Sequence, residues 1–264
     1  MNKLLLFFIL ISKIGFGQDT KYLSENYEFK IGEIAFLFGN DVKLREQPNA
    51  QSKVLTLLNI AEPIEIIEKS NSTMPFDGIE SPWYKVKTKD KVGFVLGSLI
   101  SLDKATYGNL TYLISLKKIG STLFAKTRVL ENGKEFKENI SPLLTSEFSI
   151  KAIGNQGLEN IKSIFHIDYL SEACGVNGGG IYLFYDGNNF VKAIDYMQIA
   201  DADAYWFFEE YTFPNEEGGM QGKIVYKRVA GETKEYETEW TESKTTRRIL
   251  EWNGREIIPK IEAE

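Results

Sequence analysis

Between Phe36 and Ser101 every apolar run is short, and each is cut off from the next by turn-forming residues. Val54–Leu58 and Pro63–Glu68 are runs of strand length joined through Asn59–Glu62, and Trp83–Lys87 and Val92–Leu96 flank a Lys89–Asp90 turn. Short β-branched and aromatic runs bounded by turn residues read as strands. About five of them within some 65 residues fit a small barrel and leave no room for crossover helices. Glu68–Ser81, rich in Ser, Asn, Pro and Gly, reads as a long loop. Its apolar members Met74, Phe76 and Ile79 are expected either to tuck onto the barrel or to cover a partner.

The remainder is again β-rich. Leu102–Asn109 reads as a linker, followed by strands near Leu110–Leu116, Thr122–Val129, Phe148–Ile153, Ile181–Tyr185, Phe190–Tyr196, Tyr205–Phe213, Lys223–Val229 and Thr246–Trp252. Asn132-Gly133, Asp186-Gly187 and Asn253-Gly254 supply positive φ cheaply and mark hairpins. Their unequal spacing favours independent hairpins over propeller blades. The predicted fold class is all-β: a small β-barrel at 36–102, then a larger antiparallel domain at 110–262, a meander sandwich or propeller-like. Tyr236–Arg248 alternates charged and β-prone residues, as an edge strand does to deter sheet-to-sheet pairing.

Lys3, the apolar run Leu4–Ile11 and the small-x-small Gly15-Phe16-Gly17 form a signal-peptide pattern over residues 1–17. Lys13 interrupts the run, and a membrane span needs about 20 apolar residues. The expected product is exported, periplasmic or secreted, with no membrane insertion after cleavage, a leader at 18–35 and no cysteine at Gln18 to carry a lipid. Its formal net charge of −6, which becomes −8 without Lys3 and Lys13, opposes binding to nucleic acid. Cys174 is the only cysteine, so no intramolecular disulfide forms, and stability falls to packed cores for which 17 Phe, 13 Tyr and 4 Trp are ample.

Val42-Lys43-Leu44-Arg45 with Pro48, Ser52-Lys53-Val54, Trp83-Tyr84-Lys85-Val86, and Gly93-Phe94-Val95 followed by Ser98-Leu99-Ile100 resemble, in order and spacing, the bacterial SH3 domain family. The residue pattern agrees: Val42 and Leu44 alternate with Lys43 and Arg45, and Gly93 marks a bend or a place where a side chain would strike a neighbouring strand. Phe94 stands where the family has Trp, losing an indole donor, and the Glu68–Pro82 segment is longer than the family pattern. The resemblance implies recognition of a cell-wall peptide or an envelope protein by a groove. Candidate contacts are Arg45, Met74, Phe76, Trp83, Tyr84 and Phe94, with core or rim packing as the plainer role for Trp83. Such domains often accompany wall-cleaving enzymes, which makes catalysis in the second region the alternative to weigh.

Little there supports it. His166 is the only histidine, which removes zinc sites built on two or three. A Cys174–His166 pair would supply thiolate and base, but Glu172-Ala173-Cys174-Gly175 matches neither the papain-like wall peptidases nor the wall transpeptidases. Gly178-Gly179-Gly180 lacks a phosphate-loop context and reads as a mobile loop. Asp201 and Asp203 are too few for a calcium loop, and no cofactor or metal is expected. The aromatic run Tyr205–Phe213 places Tyr205, Phe207, Tyr211 and Phe213 on one face and Trp206 and Phe208 on the other. It reads as a core strand, with a stacking platform for sugar or peptide as the sharper alternative; a paired-carboxylate glycosidase at Glu209 and Glu210 has no further support. The expected function is non-enzymatic binding.

Overall fold

The computed structural model describes residues 20–133, 135–170, 177–201, 205–235 and 240–261; residues 1–17, expected as a signal peptide, and Cys174 and Asp203 lie outside them. The described residues form antiparallel sheets, with a single 3-10 turn at Gly97–Leu99 as their only helical element. No helix among them is long and apolar enough to cross a membrane.

The first sheet contains β2 (Ile34–Leu37), β3 (Val42–Arg45), β4 (Val54–Leu58), β5 (Pro63–Phe76), β6 (Ile79–Lys87), β7 (Val92–Leu96) and β8 (Ile100–Ser101), in the order β4-β3-β7-β6-β5-β2-β8. It curls around Leu37, Leu44, Ile64, Ile66, Tyr84, Val86 and Val95, all buried. The Val42/Leu44 alternation holds, since both are buried while Lys43 is exposed. A Cβ on Gly93 would fall 2.7 Å from the Arg45 carbonyl oxygen, the strand collision expected there.

The expected Glu68–Ser81 loop is instead a hairpin arm. β5 and β6 pair out to Phe76–Ile79, with irregular register at Ile66/Glu68 and Lys69/Thr73, and the tip is turned by Asp77 (φ 51) and Gly78 (φ 78). Positive φ at two successive residues is what a two-residue hairpin turn of this kind requires. The tip is fastened to the second region: the Lys118 N–H donates to Asp77 O at 2.8 Å, and Lys126 pairs with the Asp77 carboxylate. Any side chain at Gly78 would meet the Lys118 carbonyl oxygen at 2.1 Å.

The expected linker is also strand. β9 (Asp103–Tyr107) pairs with β10 (Leu110–Ile119), which continues through β11 (Thr122–Glu131) to β12 (Phe136–Pro142) as a four-stranded meander. A nine-stranded sheet follows, in the order β1 (Leu23–Ser24), β13 (Glu147–Ile153), β14 (Ser163–Tyr169), β15 (Gly178–Tyr185), β16 (Phe190–Asp201), β17 (Tyr205–Thr212), β18 (Ile224–Glu235), β19 (Trp240–Trp252) and β20 (Ile257–Ile258). Tyr112, Ile114 and Ala125 of the meander pack on Phe148, Phe165, Ile167 and Leu183 of the large sheet, so the second region is a sandwich there. The three Asn-Gly and Asp-Gly turns close three separate hairpins, β11–β12, β15–β16 and β19–β20. β19 is paired on its outer side only at Glu251 and Trp252, which leaves the charged segment as the expected edge.

Gly178–Gly180 belongs to β15 rather than to a loop. A Cβ on Gly179 would lie 2.2 Å from the Tyr196 carbonyl oxygen, and one on Gly180 2.2 Å from that of Ile167, so glycine here permits close strand approach.

The leader ties the two regions together. Leu23 pairs with Phe148 and enters the sandwich core, whereas Phe29 enters the barrel core against Tyr84 at 5.3 Å between ring centroids. On the other side of the junction, Arg128 lies between Phe38 and Phe136 at 4.2 and 4.1 Å from their centroids, and its Nη1 donates to Phe38 O at 2.6 Å. Cation–π contacts shielded from water are among the stronger of their kind.

Candidate functional site, a groove between leader, arm and barrel

A concavity lies where the leader crosses the root of the hairpin arm. Its floor is a pit of about 50 Å³ walled by Tyr27, Phe29, Ile79, Pro82, Tyr84 and Leu116. Three serines shape the pit: Ser81 Oγ accepts the Ser98 N–H at 2.8 Å, and Ser115 Oγ donates to Ser98 O at 3.2 Å. Gly97 fits closely beside them: a Cβ there would sit 3.0 Å from both Ser81 Oγ and the Tyr84 ring, tighter than ordinary contact.

Above the pit the walls open to a groove of about 400 Å³ between Glu25–Glu28 of the leader and Lys69–Thr73 of the arm. Glu25, Tyr27, Glu80 and Pro82 line both levels, so pit and groove are continuous. The rim is acidic. Lys118 holds Glu25 through both carboxylate oxygens at 2.9 Å, and Lys69 pairs with Glu28. Glu80 is exposed and has no ion-pair partner among the described residues. It is therefore the carboxylate best able to receive an incoming cation without breaking an existing pair.

The leader is held in place by one charged cluster. Lys21 Nζ donates to Glu33 at 2.8 Å and to Leu102 O at 2.9 Å and lies 4.5 Å from the Tyr27 ring centre, while Tyr27 OH donates to Glu33 at 3.1 Å. Burial acts to raise the Glu33 carboxyl, but hydrogen bonds from Lys21 and the Lys30 N–H outweigh it and hold the group below the usual carboxylate range. Glu33 thus stays ionised and keeps the leader wall standing at neutral pH.

The six residues named from sequence divide three ways. Trp83 and Tyr84 are buried, at 4% and 1% exposure. Tyr84 contributes its ring to the pit wall and Trp83 sits opposite Leu96 of β7; removing so large a buried side chain typically costs about 3–5 kcal/mol, so a Trp83→Ala change tests stability before it tests binding. Arg45 and Phe94 are brought together as direct cross-strand partners on β3 and β7, where Arg45 Nη1 also donates to Ser52 O at 2.6 Å. Met74 and Phe76 are half-buried near the arm tip. The groove residues of the leader, Glu25, Tyr27 and Phe29, carry no signal in the sequence, because a polar segment with scattered aromatics gives no local sign of what it will pack on.

His166, the candidate base, is 3% exposed and stacks on Tyr182 at 4.2 Å between ring centroids and 12° between planes. Its Nε2 lies 3.1 Å from Tyr196 Oη and its Nδ1 has no partner among the described residues. Burial, helped by the charge of Lys151, pushes its pKa down to about 3. Glu209, half of the conceivable glycosidase pair, accepts hydrogen bonds from Tyr226 Oη at 2.7 Å and the Met197 N–H at 2.9 Å, and Glu210 lies on the opposite face of β17. The described residues contain no cluster of three or more metal-ligating side chains.

A family model, the bacterial SH3 domain, matches residues 40–101, spanning β3 to β8. No curated protein and no solved structure matches the chain significantly.

Proposed function

Starting from a chain that carries a bacterial SH3 domain at residues 40–101, and hence a binding role, we propose that it is an exported, non-enzymatic protein that recognises cell-wall peptide in the leader–arm groove. The observation that carries this reading is the continuity of an apolar pit with an acid-rimmed groove, one wall of which is the arm that extends the family's barrel. Wall stem peptides combine alanine with a diamino acid. A methyl-sized side chain suits the pit, and a free ammonium suits the unpaired Glu80 carboxylate, where a charge-assisted contact is stronger than a neutral one. Binding rather than catalysis is supported by the buried, stacked state of the only histidine and by the lack of a catalytic motif around Cys174. Export is supported by Lys3, the apolar run Leu4–Ile11 and the Gly15-x-Gly17 pattern.

Titration with soluble stem peptides, followed by calorimetry, tests the chemistry of the site. The expected result is saturable binding that falls about ten-fold, the worth of roughly 1.4 kcal/mol, when the peptide's side-chain amine is acetylated or when Glu80 is replaced by Gln. Equal affinity for the free and acetylated peptides would contradict the assignment of Glu80.

A further inference from the structure

β17 carries a second surface of different character. Its inward face, with Phe207 at 8% exposure, turns toward the core, whereas Trp206 and Phe208 point the other way and Phe208 is 42% exposed. Trp206 is directly opposite Gly231 of β18, and three of its ring atoms, Cζ2, Cε2 and Cη2, lie 2.1, 2.4 and 2.8 Å from where a Cβ on Gly231 would be. The missing side chain lets the indole lie against the strand instead of standing away from it, with its outer side partly open to solvent. Phe208 follows two residues later on the same face, about 7 Å along the strand.

The next cross-strand row on this face is Glu210, Lys227 and Arg247. Lys227 and Glu210 are 3.7 Å apart, while Arg247 is exposed and has no ion-pair partner among the described residues. Arg247 thus lies on the same face as the rings, two strands from β17, an exposed cation on a chain whose net charge is −6. Neutral sugars, aromatic peptides and acidic glycans all stack on such rings, but only an anionic ligand also satisfies Arg247. We propose that this face binds a carboxylate-bearing polysaccharide, with sugar rings on Trp206 and Phe208 and a carboxylate of a neighbouring sugar on Arg247. Planar rings match the apolar face of a pyranose, and Trp206 and Phe208 offer two of them on one face of the strand. The site lies on a different strand set from the groove and does not depend on the peptide reading.

Affinity electrophoresis of the purified protein through gels containing polygalacturonate or neutral dextran tests this. Polygalacturonate is expected to retard the protein and dextran to do so far less. Trp206→Ala and the half-exposed Phe208→Ala should each weaken retardation about ten-fold, and Arg247→Gln should reduce the preference for the acidic polymer. Glu80→Gln in the groove should leave the retardation unchanged, which separates this site from the other. Phe208→Ala guards against a folding defect at Trp206, and unchanged thermal midpoints accompany the expected result. No retardation of the parent protein, equal retardation by dextran, or retardation indifferent to both aromatic substitutions would overturn the proposal.

Discussion

Replacing His166 with Phe is expected to remove most of the fold's sensitivity to mild acid. In the folded protein the imidazole is buried against Tyr182 with Nδ1 unpaired, and burial first, then the charge of Lys151, depress its pKa to about 3 from an ordinary 6.5. Because the folded-state value is the lower one, the unfolded chain takes up a proton that the folded chain refuses. The stability this neutral histidine preserves is fully present above pH 6.5 and is lost progressively as pH falls from there toward 3. By pH 5 the loss from this one group is about 2 kcal/mol. Asp168, on the same face two residues along β14, works in the other direction, since burial raises its carboxyl and protonation relieves it. The lowered carboxyl of Glu33 acts at still lower pH, below its ordinary value of 4.5. The difference between the urea midpoints of the parent and the Phe variant from pH 7 to pH 5 therefore isolates the histidine, since the raised carboxyls of Asp168 and Asp103 are present in both. The parent should fall across that interval and the Phe variant should stay nearly level; parallel slopes would show that the buried imidazole is not the acid-labile group.

A larger effect is expected at Gly179. Its φ is +103°, and a Cβ would lie 2.2 Å from Tyr196 O and 2.8 Å from Met197 Cα, both backbone atoms of the adjoining strand. No rotamer change relieves such a contact, so the β15–β16 pairing has to open. Gly179→Ala should cost more than about 4 kcal/mol or prevent folding altogether. Gly120→Ala, at φ +59° with nothing within 4 Å, provides the comparison, with a cost of about 1 kcal/mol. Thermal midpoints and near-ultraviolet circular dichroism distinguish the two. A Gly179→Ala protein that melts within a few degrees of the parent would refute the close strand approach.

These two sites show what could be read from residues alone and what could not. The barrel was legible because Val42, Leu44, Val86 and Val95 place apolar side chains at strand period and each is buried. The Asn-Gly and Asp-Gly hairpins were legible because their turn chemistry is local. The arm was read as a loop because Ser70 to Pro75 is a poor strand by composition; its strands are completed by Asp77-Gly78 and by docking on Lys118, and that docking is a tertiary contact. Three consecutive glycines signal freedom in isolation, yet here they answer to the closeness of Tyr196 and Ile167 on neighbouring strands. Trp83 and Tyr84 drew attention as aromatic residues in a family motif, and the structure uses both in packing. The groove itself was out of reach, since half of it comes from leader residues whose positions depend on the tertiary pairing of Lys21 with Glu33.

Co-sedimentation of the purified protein with intact, enzyme-free sacculi tests recognition of wall peptide in the groove, comparing the parent with Glu80→Lys, an exposed substitution that reverses the charge at the groove rim. The parent should pellet with the wall, and Glu80→Lys should remain mostly in the supernatant while melting like the parent. A parent protein that stays in solution, or a Glu80→Lys protein that pellets equally well, would contradict recognition of wall peptide through this groove.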